Sequence, residues 1–316
     1  MVKVVVVGSV NMDLIVRVSR LPRLGETMSG EGFSMGGGGK GANQAVACAR
    51  LGARVTMAGC VGDDDFGKRL LSDLVSEDID CTPVRVCPGI NTGVALIAVT
   101  KEGENAIILS PGANALTSGE DVERAAVAMK EAQVALFQLE IPTATVMVGL
   151  KKAKEAGCLT VLDPAPAAPL PDEVWPLVDV AAPNEIEAAD LGGSDEPTRA
   201  ALRLLEKGAG CVVVSLGSKG ALTVTRDCTF SVPAFPVEVV DTTGAGDAFR
   251  AGLAVALAEG KTLEEAVRFG TAAGALACTA LGARSSLPQR SAVLQMLSSS
   301  SARYSTEKSQ TSLKPK

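Results

Sequence analysis

A chain of 316 residues, 47% apolar and 21% charged, can bury a sizeable core and is not globally disordered. Its formal charge of −6 argues against nucleic-acid binding, whose footprint is basic, and no run approaches the roughly 18 apolar residues of a membrane span. Histidine is absent, which removes serine-protease-type triads, histidine-ligated zinc and haem, and imidazole acid–base chemistry together. Proton transfer therefore falls to Asp, Glu, Lys, Tyr or Cys. The eight cysteines contain no C-x-x-C spacing and read as thiols of a reducing compartment. Residues 1–8 run straight into a strand and do not resemble a signal peptide, so a cytoplasmic location is expected.

Residues 2–7, rich in valine and stopped by Gly8, predict a buried central strand. Looser strands are expected at 14–18 and 26–34, then an alanine-rich helix at 41–51 closed by Gly52. A strand at 54–60, a helix at 65–77 and strands at 93–99 and 105–109 follow, the last two joined by a turn at Lys101-Glu102-Gly103. Helix 118–131, strand 134–138, helix 143–156, strands 159–162 and 178–181, helices 185–191 and 197–207, and strand 211–215 come next. That order is characteristic of an α/β fold, a mostly parallel sheet flanked by helices. A hairpin region at 221–239 leads to helices at 245–259 and 262–280. Residues 14–34 and 93–109 are strand-only insertions, expected to form a small β-sheet lid over a site on a main domain spanning 1–296. From residue 297 to 316 the composition predicts a disordered polar tail.

The segment Asp241-Thr242-Thr243-Gly244-Ala245-Gly246-Asp247 opens the helix expected at 245–259. Backbone N–H groups at a helix start are free to face an anion, and the helix dipole favours negative charge there. An aspartate beside such a hole can take a hydroxyl proton while the N–H groups hold the charge of a transferred phosphoryl group. The alternative is a glycine turn with Asp247 as an ordinary first-turn acid. The run Gly36-Gly37-Gly38-Gly39-Lys40-Gly41-Ala42-Asn43 matches G-x-G-x-x-G but does not follow the first strand directly. It also fails the P-loop pattern, since Gly41 stands where Ser or Thr should follow the lysine. What it offers is open backbone, one cation and an amide, suited to a polyol or phosphate, or else a structural turn.

Gly8-Ser9-Val10-Asn11-Met12-Asp13 leaves the carboxyl end of the first strand, the edge where open α/β sheets bind ligands. Asn11 and Asp13 either bind vicinal hydroxyls or form an Asx turn with a solvated carboxylate. Glu140 leaves another strand. Asn184 and Glu187 have the spacing of a capping box, and equally of oxygen ligands organising water around magnesium. Ser215 and Gly217 suit a nucleotide-facing loop or a tight turn. Asn11, Asp13, Glu140, Asn184, Ser215 and Asp247 all fall just past strands or at helix starts, which brings them to one sheet edge.

Together, Gly38-Gly39-Lys40-Gly41-Ala42-Asn43-Gln44 and Asp241 to Asp247 resemble the motifs of the ribokinase/PfkB carbohydrate kinase family. The resemblance covers about residues 1–295. Gly8 to Asp13, Pro111-Gly112-Ala113-Asn114 and Pro164-Ala165-Pro166-Ala167 favour its ribokinase branch over the fructokinase, adenosine kinase and ketodeoxygluconate kinase branches. It implies a ribokinase-like three-layer fold and ATP-dependent phosphorylation of the 5-hydroxyl of D-ribose. Asp247 would be the base, with the backbone of Gly244, Ala245 and Gly246 as the anion hole. Asn11, Asp13, Gly39, Lys40, Asn43 and Glu140 would hold the sugar. Asn184, Glu187, Ser215, Gly217 and Gly246 would serve ATP and its Mg2+. An activating K+ would sit at Asp241, Thr243, Ala277, Ala280, Gly282 and Ser286. Members of the family commonly form homodimers through the lid sheet.

The chain departs from the family pattern at Gly36-Gly37, where a bulky residue is usual, and at Asp163, where Asn often precedes Pro-Ala-Pro-Ala. It departs also at Arg250 and Ala251, where a glycine is common; this touches the helix of Asp247 but not the base itself. Rival readings are a kinase for 2-deoxyribose or another pentose, a catalytically silent sugar or nucleotide sensor, and a nicotinamide-dependent enzyme built on the glycines at 36–41.

Overall fold

The computed structural model describes residues 1–101 and 105–300. Strand β1 (Lys3–Val7) is buried on both faces, with Val4 and Val6 in one core and Val5 and Val7 in the other. β2 (Asn11–Arg17) and β3 (Gly32–Gly38) pair antiparallel and lead into helix α1 (Lys40–Arg50). Both strands differ from expectation. β2 begins at Asn11, not at 14, and β3 extends through Gly36, Gly37 and Gly38, glycines expected in a turn. β4 (Arg54–Gly62), α2 (Asp65–Ser76), β5 (Val84–Cys87), β6 (Gly93–Val99) and β7 (Asn105–Ser110) follow. β5 was not expected, since four residues between turns carry too little pattern. Of the turn expected at Lys101-Glu102-Gly103, Glu102 and Gly103 lie outside the described residues.

The helix expected at 118–131 is broken at Ala125 into α3 (Gly119–Arg124) and α4 (Ala126–Met129). β8 (Val134–Gln138), α5 (Thr143–Glu155), β9 (Leu159–Asp163), the two-residue β10 (Val180–Ala181), α6 (Glu185–Gly192), α7 (Pro197–Glu206) and β11 (Cys211–Ser215) complete the alternating series. β12 (Ala221–Val224) and β13 (Thr229–Val232) form the hairpin before α8 (Ala245–Ala258), α9 (Leu263–Ala277) and α10 (Arg290–Ser300). Residues 297–300 of the expected tail therefore belong to α10, and 301–316 lie outside the described residues.

The nine-stranded sheet runs β13-β12-β11-β10-β9-β8-β1-β4-β5, parallel from β5 through β11 and antiparallel beyond. Helices cover both faces, giving three layers; α1, α8 and α9 lie against one core and α5 and α7 against the other. A separate four-stranded sheet has the order β3-β2-β6-β7. From β1 the chain builds outward to β4 and β5, then returns to place β8 on the opposite side of β1. That reversal opens a crevice beyond the carboxyl ends of β1 and β8, the usual ligand position in open α/β sheets. Among the described residues no helix is long and apolar enough to cross a membrane.

Candidate active site

The residues leaving β1 and β8 meet at this crevice. Glu140 Oε2 accepts hydrogen bonds from Ser9 Oγ at 2.5 Å, the Lys40 amide at 3.0 Å and Asn11 Nδ2 at 3.4 Å. Ser9 also caps α1, its Oγ and carbonyl accepting the N–H groups of Gly41 and Ala42. Gly39, at φ 85°, starts the helix where a β-carbon would lie 2.8 Å from the Asn11 nitrogen, so only glycine fits. Asn114 donates to Asn11 Oδ1 at 2.7 Å and also pairs with both the N–H and the carbonyl of Val10, which fixes the Asn11 amide. Asn114 was noted in the sequence only as part of a branch motif.

Asp13 is not the solvated carboxylate of an Asx turn: it stands inside β2 and is 9% exposed. A β-carbon on Gly38, the end residue of the neighbouring strand, would come within 2.0 Å of its Oδ1. Arg284 Nη1 similarly occupies the space over Gly37, and Nη2 donates to the Gly38 carbonyl at 3.1 Å. The glycines of β3 thus leave room for one carboxylate and one guanidinium. Burial, reinforced by Glu140 and opposed by Arg284, pushes the Asp13 carboxyl from 3.8 up to about 7.

Asp247 stands in the first turn of α8, 7% exposed. Its Oδ2 accepts from Asn43 Nδ2 at 3.0 Å and its Oδ1 from Gln44 Nε2 at 3.1 Å. The same Gln44 amide donates to Asp163 Oδ2 at 2.8 Å, while Gln44 Oε1 accepts from Gln138 Nε2 at 2.6 Å. Arg250 Nε lies 2.7 Å from Asp163 Oδ1, and Nη2 lies 3.2 Å from Glu187 Oε2. The departures at Asp163 and Arg250 are therefore one buried ion pair. As expected, Arg250 does not touch the Asp247 carboxylate itself; the pair reaches it only indirectly, through Gln44. Burial opposes a charge on Lys40, but Asp163, Asp247 and Glu140 outweigh it and raise the ammonium above its ordinary range.

Gly244 caps α8 in the left-handed region at φ 80°, and a β-carbon there would lie 2.5 Å from the Ala283 carbonyl oxygen. Among the described residues the N–H groups of Gly244, Gly246 and Asp247 have no partner. That of Ala245 donates to the Thr242 carbonyl at 3.2 Å, so the expected hole lacks one of its donors in this conformation. A cavity of about 410 Å3 opens here, lined by Lys40, Ser215, Gly217, Gly246, Asp247 and Arg250, with Asn184 and Glu187 on its wall. Asn184 and Glu187 form a reciprocal capping box at 2.8 Å for each bond, and Ser215 lies beside Asn184 in a parallel bridge. Glu187 Oε1 has no hydrogen-bond partner among the described residues, so one oxygen remains available beside the cavity. A larger hollow of about 720 Å3 beside α6 and α7 is lined by Asp172, Asp190, Arg203, Glu206 and Lys207, and holds none of the residues that leave β1 and β8 or open α8.

Asp241 Oδ1 accepts from the N–H and hydroxyl of Thr243 at 2.9 and 2.7 Å, and Oδ2 accepts from Gly282 N at 2.8 Å. Burial works to raise its pKa, but these bonds hold it below the ordinary value. Ala277 and Ala280 flank Cys278, whose carbonyl accepts from the N–H groups of Val240 and Asp241. Among the described residues no hydrogen bond joins Ala277, Ala280 or Ser286 to Asp241. The Ser286 hydroxyl is used within its own turn, on the Ala283 carbonyl at 3.2 Å. Sequence reasoning gave no role to Ser9, Gln44, Gln138, Asp163, Arg250 or Arg284. Gln44 lies at the end of the Gly38–Gln44 motif, and Asp163 and Arg250 stand out in the sequence as separate departures from the family pattern, with no signal that they pair.

A model of the pfkB family of carbohydrate kinases matches residues 1–290. The ribokinase of Haemophilus influenzae is 40% identical over 297 residues, spanning 92% of this chain and 97% of that protein. A deoxyribokinase of Salmonella typhi is 40% identical over 291 residues, spanning 90% and 95%. Among solved structures, the Arabidopsis thaliana ribokinase complexed with ribose and ATP superposes with a TM-score of 0.85 at 35% identity, covering 96% of this chain and 99% of that one. Fold, motifs and matched length agree: the chain belongs to the pfkB family of carbohydrate kinases.

Proposed function

We propose that this chain is an ATP-dependent kinase that transfers the terminal phosphoryl group of ATP to the 5-hydroxyl of D-ribose, giving ribose 5-phosphate and ADP. The observation that carries the reading is Asp247, a carboxylate held by two amides at the wall of a cavity beside the partnerless N–H of Gly246. Asp247 accepts the hydroxyl proton, and the N–H groups of Gly244 and Gly246 hold the charge of the transferred group. The Ala245 N–H joins them once it leaves Thr242. Asn11, Asp13, Gly39, Asn43 and Glu140 orient the sugar, and Lys40 sits between sugar and phosphate. Asn43 Oδ1 is buried without a partner, which suits a sugar hydroxyl as donor.

Asn184, Glu187, Ser215 and Gly217 face the nucleotide from the cavity wall. The free oxygen of Glu187 suits the water shell of Mg2+, which when bound neutralises charge on the phosphates. The carbonyls of Ala277, Ala280 and Gly282 accept no hydrogen bond among the described residues, and Asp241 and Thr243 add a carboxylate and a carbonyl. That is an oxygen-rich set suited to K+, with Ser286 nearby in sequence; a cation there would stiffen the loop that leads into α8. A cytoplasmic enzyme accords with all eight cysteines being free thiols.

A coupled ADP-release assay over a sugar panel tests the reading. Ribose-dependent ADP release that rises when K+ replaces a large organic cation is expected, and release independent of any sugar refutes it. The deoxyribokinase relative favours a second substrate, 2-deoxyribose. A higher kcat/KM for that sugar than for ribose would make it the physiological acceptor.

The small sheet supports a homodimer. Its register sets Met35, Leu14, Leu96 and Ile108 side by side across four strands, with Phe33 and Val16 in the next row of the same face. Met35, Leu96, Ile108 and Phe33 are exposed large apolar side chains, a patch that monomers rarely present. Asp13 alternates to the opposite face. Light scattering should give twice the chain mass for the wild type and the single mass for Leu96→Glu/Ile108→Glu; a monomeric wild type refutes this surface as a dimer interface.

A further inference from the structure

Arg250 follows Gly246 by four residues on α8, so both lie on one face and the Arg250 side chain points back toward the helix start. A guanidinium near the positive end of a helix dipole needs anions around it. Asp163 and Glu187 supply two, in ion-pair contact at Nε and Nη2, while the single Nε–H donates to the Ala182 carbonyl at 2.8 Å. Nη1 is left over. It has no partner among the described residues, and a β-carbon on Gly246 would lie 2.5 Å from it. Arg250 itself lines the cavity with Gly246, Asp247 and Lys40 although the residue is only 3% exposed.

We infer that Arg250 is a phosphate-binding residue of this kinase: Nη1 donates to the terminal phosphate of the nucleoside triphosphate, alongside the N–H of Gly246. The inference rests on the kinase reading and adds to it a side-chain cation fixed from within α8. Two of its three nitrogens are anchored, so the third reaches the cavity already oriented, without the ordering cost of a free side chain. Its ion pair with Asp163 also explains why a fully buried acid stands beside Gln44: the acid positions the guanidinium.

The test compares ADP with the β,γ-imido analogue of ATP, both with Mg2+, by calorimetry on the wild type, Arg250→Asn and Asp163→Asn/Arg250→Asn. The double variant removes both buried charges and keeps a folded protein available where the single one strands Asp163. A terminal-phosphate contact predicts about tenfold or greater loss of analogue affinity with ADP affinity nearly unchanged. Equal loss on both nucleotides, a larger loss on ADP, or no loss on either overturns it and leaves Arg250 a structural partner of Asp163 and Glu187. Failure of the kinase reading itself would be seen separately, as wild-type protein that binds neither nucleotide.

Discussion

Replacing Asp247 with alanine should lower kcat by about 10²- to 10⁴-fold, the range for loss of a general base, while nucleotide affinity stays near the wild-type value. The two readouts part because the proposed reading sets Asp247 against the hydroxyl to be phosphorylated and Asn184, Glu187, Ser215 and Gly217 against the nucleotide. Asp247→Asn tests the same role with the shape retained. Both oxygens of Asp247 accept from amides, so an Asn there turns its own NH2 toward Asn43 or Gln44. Asn43 can answer by rotating its amide, since its buried Oδ1 has no protein partner to lose and its NH2 can then donate to the sugar hydroxyl in place of that oxygen. The Asn variant should therefore fold, bind both substrates and turn over as slowly as the Ala variant. Near-normal kcat in either, measured by coupled ADP release, would remove Asp247 from the role of base.

The parts of the fold that were legible carry strong local pattern. The valine run of β1, the alanine-rich α1 and the alternation from β8 to β11 follow from burial on two faces and from helical periodicity. The small sheet was also visible, as strand-only insertions in a βα series. What stayed hidden depends on tertiary neighbours. β3 accepts Gly37 and Gly38, a residue type that normally weakens strands, because Arg284 and Asp13 fill the space their side chains would need. β5 and the end of α10 lack a strong apolar period of their own.

The site divides in the same way. Asp247, Glu140 and Asn11 were findable because strand ends and helix starts are local events, and the crevice between β1 and β8 gathers them. The wiring between them was not. Asp163 and Arg250 are read from the chain as two isolated departures, and nothing in their spacing says that their side chains meet. Only the packing of α8 against the sheet brings them together, and only Gln44 then joins that pair to the base. The N–H of Ala245 makes the same point on a smaller scale. Its position at a helix start was legible, but its bond to Thr242 depends on the curl of the preceding loop.

Asp13→Ala should raise the KM for ribose by about 10- to 100-fold with a smaller effect on kcat, since each hydrogen bond to a charged acceptor contributes roughly 1.5–3 kcal/mol. The pH dependence identifies the group. Burial and Glu140 bring the free-state Asp13 carboxyl to about 7, so the ionised form that accepts hydroxyls is in the minority at pH 6 and dominates at pH 8. Wild-type KM for ribose should fall across that interval. In Asp13→Asn, that fall should disappear. Stability should run the other way. From pH 3.8 to about 7 the unfolded chain releases the Asp13 proton while the folded one keeps it, so this group's contribution to stability declines with rising pH and is fully lost above about 7. Asp13→Asn should accordingly melt higher than the wild type at pH 8, with the gain shrinking toward pH 4. A variant that bound ribose as the wild type does at pH 8 would show that Asp13 carries no sugar contact, and one that melted lower there would show that it carries no cost of a buried carboxylate. The opposed signs are what a binding group held at the expense of the fold requires: on the proposed reading, the small sheet keeps a carboxylate out of water where a bound sugar would supply the hydrogen bonds that water would have made.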